Sequence, residues 1–306
     1  MRKFLKCENG FIAREHWEPH CWVNIEKPDQ KDYAMLSEDF HVPIDYIEYV
    51  TDPEENPRVE RDGDWMLTIL RLPTHSSGGS EPYTTVPLGI ITNGEICITV
   101  CQHKTEMISD FIDHTRARGI RIEDTANFIL RLIFSSAVWY LKYLTKISAT
   151  VNGAEKEMGS SVQNDQILLL LQLQKSLTIF NTSLRGNSAI ITRLKSIYGD
   201  TIDEDLLEDI EIELDQARNT VDVYSSILNG TMDAFGSVIS NNVNAVMKRM
   251  TAVSIVLMVP TLIASFYGMN VLLPLTSDSW AFWAILGGSI VLTALCYMLF
   301  RKIKWV

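Results

Sequence analysis

Three groups of side chains in this sequence have the types and spacing to handle a hard, hydrated cation. The first is a line read in steps of three and four: Asp233, Gly236, Ser240, Asn244, Met247, Met250 or Thr251, Ser254, Met258 and Thr261. At 3.6 residues per turn these positions share one side of a helix, and their members are small, polar or flexible. The second is the tetrapeptide Tyr267-Gly268-Met269-Asn270, which closes a long apolar stretch. The third is an acidic run: Asp200, Asp203, Glu204, Asp205, Glu208, Asp209, Glu211, Glu213 and Asp215, with no base among them. Carboxylate oxygens suit Mg²⁺, whereas uncharged amides and hydroxyls can touch a hydrated ion and let it go. Plainer readings stand beside these. Ser and Thr are common where membrane helices pack, and a charge run is often a solvated helix face or compensation of a helix dipole.

The elements that must position these groups are long and helical. No Pro occurs between Asp203 and Pro260, so one helix is expected to run from about Asp205 to Asn270, with Gly230 and Gly236 as the places where it could break. Unbroken, it would be about 100 Å long. Its last part, residues 250–277, carries no charged side chain, and neither do residues 279–300. Each run is long enough to cross the roughly 30 Å hydrocarbon core, so two membrane helices joined by a short loop are expected. Lys248 and Arg249 precede the first span, Arg301, Lys302 and Lys304 follow the second, and the loop between holds no base. That asymmetry places both ends of the hairpin in the cytoplasm and the loop outside. Trp280 and Trp283 suit one interface and Trp305 the other. Two spans cannot enclose a pore, so a pore-lining stripe requires a symmetric ring of subunits. The repeat of seven at 233, 240, 247, 254 and 261 would let such helices supercoil around an axis.

The remainder reads as a mixed α+β body. Strands are expected over 21–26, 64–72 and 88–101, the last folded back at Asn93-Gly94. Residues 52–57 and 74–82 read as loops. Helices follow: one ending at Gly119, one capped by Asp124 with Phe128, Leu132 and Leu141 on one side, and one from Val162 to Ile197 stopped by Gly199 and Asp200. The expected organisation is an α/β domain over 1–155, a helical stalk region over 156–249, spans over 250–270 and 280–300, an outer loop over 271–279 and a basic tail over 301–306.

Composition excludes several classes. Residues 1–249 hold 37 acids against 24 bases, which repels nucleic acid and attracts cations. Five cysteines without a C-x-x-C pair fit a reducing compartment, and the N-terminal stretch lacks the apolar segment of a signal peptide. His16, His20 and Cys21, or Cys97, Cys101 and His103, match no standard zinc spacing. No Gly-rich phosphate loop and no nucleophile–base set is present, so neither ATP drive nor an enzyme is indicated.

The Gly268-Met269-Asn270 triplet gains weight from its place: it ends the first of two spans, outside the membrane, before a short loop without bases. This arrangement resembles the CorA family of divalent-metal transporters, clearly from about Leu206 onward and more loosely over the α/β domain, where Asn56-Pro57-Arg58-Val59-Glu60 also looks familial. The resemblance implies a homopentameric funnel in the cell (inner) membrane, carrying Mg²⁺ and possible for Co²⁺ or Ni²⁺. It places Gly268, Met269 and Asn270 around the outer mouth. It places the pore constrictions on Asn244, Met247, Met250, Met258 and Thr261, positions already on the stripe that begins at Asp233. It further implies a regulatory Mg²⁺ between Asp209 on the stalk and an acid of the neighbouring subunit's α/β domain, with Asp45, Glu48 and Asp52 as candidates and Asp52 preferred. The outer loop here offers only Asp278, where family members often carry more acids. Zinc transporters related to the family vary the outer motif that this chain keeps. Two alternatives stay open: a zinc transporter of the same architecture, and a membrane-anchored sensor or scaffold that transports nothing.

Overall fold

The computed structural model describes residues 2–76, 81–122, 124–157, 164–271, 280–303 and 305. In chain order the elements are β1 (Arg2–Cys7), β2 (Phe11–Arg14), β3 (Cys21–Glu26), α1 (Gln30–Ala34), a π-helical turn (Met35–Asp39), α2 (Ile44–Thr51), β4 (Arg58–Asp62), β5 (Trp65–His75), β6 (Tyr83–Thr92), β7 (Cys97–Cys101), α3 (Glu106–Ala117), α4 (Thr125–Glu157), α5 (Asn164–Tyr198), a 3-10 turn (Gly199–Thr201), α6 (Glu204–Tyr267) and α7 (Ala281–Lys302). The chain divides into two compact units, Met1–Met232 and Asp233–Val306.

In the first unit seven strands form one sheet in the order β2-β1-β3-β7-β6-β5-β4. Every pairing is antiparallel except β3 with β7, where Trp22 stands opposite Cys97 and Glu26 opposite Cys101. Strand β3 matches the expected 21–26. The expected hairpin is present as β6 and β7, with Thr92 opposite Cys97. Its turn is held by the Asn93 side chain, which accepts the N–H groups of Glu95 at 3.1 Å and Ile96 at 3.0 Å. Gly94 sits at φ +92, where a side chain would be strained. Strand β1, the edge strands β2 and β4, and the helices between residues 30 and 51, were not expected. They are short, and their pairing is decided by distant partners rather than by a local period.

Alternation along the strands gives the sheet two buried faces. On one, Val23, Ile25, Leu67, Ile69, Ile91, Ile98 and Val100 pack with Met35 and Leu36 from the π-turn, Val42 after it, and Tyr46 and Val50 from α2. On the other, Phe11, Trp22, Phe111 and Phe128 form an aromatic cluster with ring centroids 4.9–6.4 Å apart. Fully buried side chains of this kind each contribute about 1.5–3 kcal/mol. Helix α5 is tied to β5 by Asn187, whose amide accepts the Arg71 N–H at 3.0 Å and donates to the Arg71 carbonyl at 2.8 Å. Beside it, Gly186 lets Pro57 approach so closely that an added Cβ would lie 2.6 Å from the proline ring.

Helix α5 and the first part of α6 each carry a buried line, and the α5 line also meets the sheet and α4, where Phe180 stands against Tyr83 and Tyr140 and Asn187 against Arg71. Leu170, Leu173, Leu177, Phe180, Leu184, Asn187, Ile191 and Leu194 are buried on α5; Leu207, Ile210, Leu214, Ala217, Val221, Leu228 and Thr231 are buried on α6. Steps of three and four on both helices make the seams. Three polar links fix an antiparallel register: Gln174 with Asn229, Asn181 with Asp222 and Lys195 with Glu211. The expected start of α6 is present, with Asp203 accepting the Leu206 N–H at 3.1 Å. The helix runs 64 residues, about 96 Å at 1.5 Å per residue, passing Gly230, Gly236 and Pro260 without a break.

Three described helices are long and apolar enough to cross a membrane: α4 over Thr125–Ala154, α6 and α7. The most apolar window of α4 is 61% buried within the protein, against 6% for α6 and 6% for α7. Helix α4 is therefore a core helix whose apolar side chains are covered by the sheet and α5. The apolar surfaces of α6 and α7 lack such cover and need a nonaqueous surround.

Candidate functional site

Helix α6 carries the whole stripe. At 100° per residue the positions from Asp233 to Thr261 fall within a sector roughly 120° wide. Asp233, Ser240, Asn244, Met247, Met250, Thr251, Ser254, Met258 and Thr261 are all exposed, Met250 by 65%. Burial does not single out the stripe, because Val253, Leu257 and Leu262 beside it are exposed too. One chain supplies one wall and encloses nothing. Two hydroxyls of the apolar part of α6 are satisfied by their own helix: Ser254 donates to the Met250 carbonyl and Thr261 to the Leu257 carbonyl, each at 2.9 Å. Both hydroxyls thus find an acceptor within their own helix. What remains is the acceptor side of each oxygen, which can receive a hydrogen bond from an ion's water.

At Tyr267 the helix ends, and the triplet follows at once. Gly268 still donates to the Ala264 carbonyl at 2.9 Å, while Met269 donates to the Phe266 carbonyl at 3.2 Å, so the last turn tightens. An added Cβ on Gly268 would lie 3.3 Å from the Ala264 carbonyl oxygen, which leaves little room for a larger residue. Asn270 is exposed and outside the helix. Asp278 and most of the expected outer loop lie outside the described residues, as does Lys304.

The acidic run is not uniform. Asp203 is a helix cap. Glu211 pairs with Lys195 at 2.7 Å and Asp215 with Arg218 at 3.4 Å. Asp209 is exposed, next to the buried Ile210 that anchors the seam. On the α/β side, Asp45, Glu48 and Asp52 are all exposed. Asp52 closes α2 and accepts the Glu54 N–H at 2.8 Å, a local turn role. Among the described residues, no group of three or more His, Cys, Asp or Glu side chains is placed to hold a metal. All five cysteines are free of disulfides, and burial pushes the Cys101 thiol up to about 12.

Arg71 is the residue that sequence reasoning missed. Its guanidinium donates to the Pro53 and Glu55 carbonyls at 3.3 and 3.0 Å and to the Thr85 hydroxyl and carbonyl at 3.0 and 2.8 Å. Its own carbonyl accepts the Tyr140 hydroxyl at 3.0 Å. Burial holds its pKa below the usual arginine value, opposed by Tyr140, Glu54 and Asp52. The loop bearing Asp52 thus already has a fixed cation beside it. The clue was a lone arginine inside the apolar run from Trp65 to Leu72.

An α/β body, a helix of 64 residues that ends in an uncovered apolar stretch, and a second uncovered apolar helix define a membrane protein with a large α/β body. Residues 17–302 match the family model described as CorA-like Mg²⁺ transporter protein, and the chain belongs to that family. The cobalt/magnesium transport protein CorA of Methanocaldococcus jannaschii is 25% identical over 292 residues, covering 93% of this chain and 91% of that one. The protein of the same description from Thermotoga maritima is 24% identical over 296 residues, covering 93% and 83%. In fold, the complete structure of the Methanocaldococcus jannaschii CorA magnesium transporter superposes with a TM-score of 0.84 at 22% identity, over 100% of this chain and 99% of that one. The cytoplasmic domain of ZntB from Vibrio parahaemolyticus superposes with a TM-score of 0.62 at 17% identity, over 78% and 96%.

Proposed function

We propose that this protein conducts Mg²⁺, with Co²⁺ as a second cargo, through the centre of a homopentamer in the cell membrane. Family membership and the transport descriptions of its relatives support the cargo. The observation that carries the mechanism is the exposed line on α6 that leads from Asp233 to Thr261 and on to Asn270. Five copies of such a line, arranged around an axis, turn one wall into a channel. The spans are residues 250–270 and 280–300, the first lining the pore, with the soluble domain and both chain ends in the cytoplasm.

Mg²⁺ is small and sheds its water slowly. A ring of five Asn270 amides accepts hydrogen bonds from the hydrated ion without stripping it, and the Ser254 and Thr261 oxygens repeat this further in. Met247 and Met250 form an apolar narrowing that closes by dewetting. The membrane potential drives entry, worth about 4.6 kcal/mol per 100 mV for a divalent ion. Cytosolic Mg²⁺ bound between Asp209 and an acid such as Asp52 of the neighbouring copy replaces carboxylate repulsion with shared coordination and holds the ring closed. The deciding experiment is uptake of Mg²⁺, Co²⁺, Ni²⁺ and Zn²⁺ into vesicles containing the purified protein. Potential-driven Mg²⁺ entry is expected. Entry of Zn²⁺ alone would establish a zinc transporter of this architecture, and no entry of any ion would leave a membrane-anchored sensor.

A further inference from the structure

Helix α2 and its C-cap carry the three acids that are candidates to meet Asp209 of a neighbouring copy. Asp45, Glu48 and Asp52 recur in steps of three and four, so they share one face of the helix, and all three are exposed. Tyr46 and Val50 are buried on the opposite face, packed on the sheet with Ile69 and Val100. The depth at which α2 sits on the sheet is therefore the depth at which the acids stand.

That depth is set by a residue without a side chain. Gly89 lies within the sheet, opposite Ile69 of β5 and Val100 of β7. A Cβ added there would lie 2.1 Å from Cγ1 of Val50 and 3.1 Å from its Cβ. Rotating the valine side chain moves Cγ1 but leaves Cβ in place. Full relief requires the last turn of α2 to lift off the sheet. That turn is tied down: the Gln102 side-chain nitrogen donates to the Val50 carbonyl at 3.0 Å and to the Tyr33 hydroxyl at 2.8 Å. Arg71 holds the loop that follows through the Pro53 and Glu55 carbonyls.

We propose that Gly89 and Gln102 are positioning residues for the regulatory Mg²⁺: the glycine lets α2 sit close to the sheet, and the glutamine holds it there with its acids at the height the neighbouring stalk requires. The inference rests on the regulatory reading given above and holds whichever of the three acids is the ligand. Depth matters because Mg²⁺ demands near-octahedral oxygens at about 2.0–2.1 Å, and a site tolerates roughly 0.5 Å of displacement in its ligands.

The test is Mg²⁺ flux through the reconstituted full chain against internal Mg²⁺, with Mg²⁺ protection of the stalk from proteolysis as a second readout. Gly89→Ala should raise the midpoint of both responses about ten-fold, the lower end of what losing an orienting partner costs a metal site. Its flux without internal Mg²⁺ should stay parental. In the double variant G89A/V50A the added methyl takes space that the Val50 methyls leave, and the midpoint should return most of the way to the parental value. Phe111→Leu loosens the aromatic cluster on the other face of the sheet and should destabilise the protein without moving the midpoint. A parental midpoint in folded Gly89→Ala, no rescue in the double variant, or an equal shift in Phe111→Leu overturns the inference. Should Gly89→Ala not assemble, Gln102→Ala decides: it should raise the midpoint in the same direction, and a parental value refutes the positioning role. A parent chain whose flux ignores internal Mg²⁺ would remove the regulatory reading and this inference with it, whereas a responsive parent beside an unshifted Gly89→Ala removes this inference alone.

Discussion

Replacing Asp209 with Ala isolates the regulatory half of the proposed mechanism. Asp209 is exposed and leaves the Leu207–Ile210–Leu214 seam untouched, so the substitution should move stability by no more than about 0.5 kcal/mol. Its regulatory effect is larger because the assembly repeats it. A ligand that binds one state stabilises it by RT ln(1 + [L]/Kd), about 0.4 kcal/mol per site when the free ion equals Kd. Five sites together bias the closed ring by about 2 kcal/mol, roughly thirty-fold, and by about 4 kcal/mol at three times Kd. Removing the ligand at every site should erase most of that bias. The assay is Mg²⁺ flux through reconstituted protein against internal Mg²⁺, paired with Mg²⁺ protection of the stalk from proteolysis. Asp209→Ala should weaken both responses by shifting their midpoints at least several-fold upward. Glu211→Gln and Asp215→Asn, whose carboxylates already meet Lys195 and Arg218, should shift them far less. Parental midpoints in Asp209→Ala, or equal shifts in all three variants, would refute the assignment and return the run to a solvated helix face.

Asn270→Ala should abolish Mg²⁺ uptake with the oligomer intact; at 0.5–1.5 kcal/mol per lost hydrogen bond, five amides amount to at least about a sixty-fold loss, measured as vesicle uptake. Normal flux would remove Asn270 from the ion entrance. Met247→Gly should wet the narrowing and raise basal flux at high cytosolic Mg²⁺, and unchanged flux would place the gate elsewhere. Gly186→Ala forces a Cβ to 2.6 Å from the Pro57 ring and should cost about 1–3 kcal/mol in the soluble unit, read by denaturant unfolding. The Cys101 thiol, raised to about 12 by burial, holds roughly a thousandth of an ordinary thiol's thiolate at pH 8. Iodoacetamide should therefore leave Cys101 unlabelled in the folded protein and label it after denaturation, as mass spectrometry of the peptide would report.

The sequence by itself determined the features that follow from a local rule. Charge-free runs after Arg249 and Asp278 mark the end of α6 and α7 as long and apolar enough to cross a membrane, because each residue's transfer cost adds along the chain. Asp203, Gly199 and Asn93-Gly94 mark boundaries because caps and turns are satisfied within a few residues. The stripe from Asp233 to Thr261 is legible because helical geometry alone puts it on one side. Tertiary structure decided what depends on distant partners. Helix α4 passes the length and hydropathy tests for a span, and only its cover by the sheet and α5 makes it a core helix. The parallel β3–β7 pairing joins residues more than seventy positions apart, so no window of sequence contains it. Arg71 reads as one base in an apolar strand until Pro53, Glu55, Thr85, Tyr140 and Asn187 converge on it. The nine acids look alike in the sequence. Lys195 reaches Glu211 and leaves Asp209 open only because α5 returns antiparallel along α6 in one register. Periodicity and transfer free energy are properties of a segment, whereas burial and ion pairing belong to whatever segment the fold brings against it.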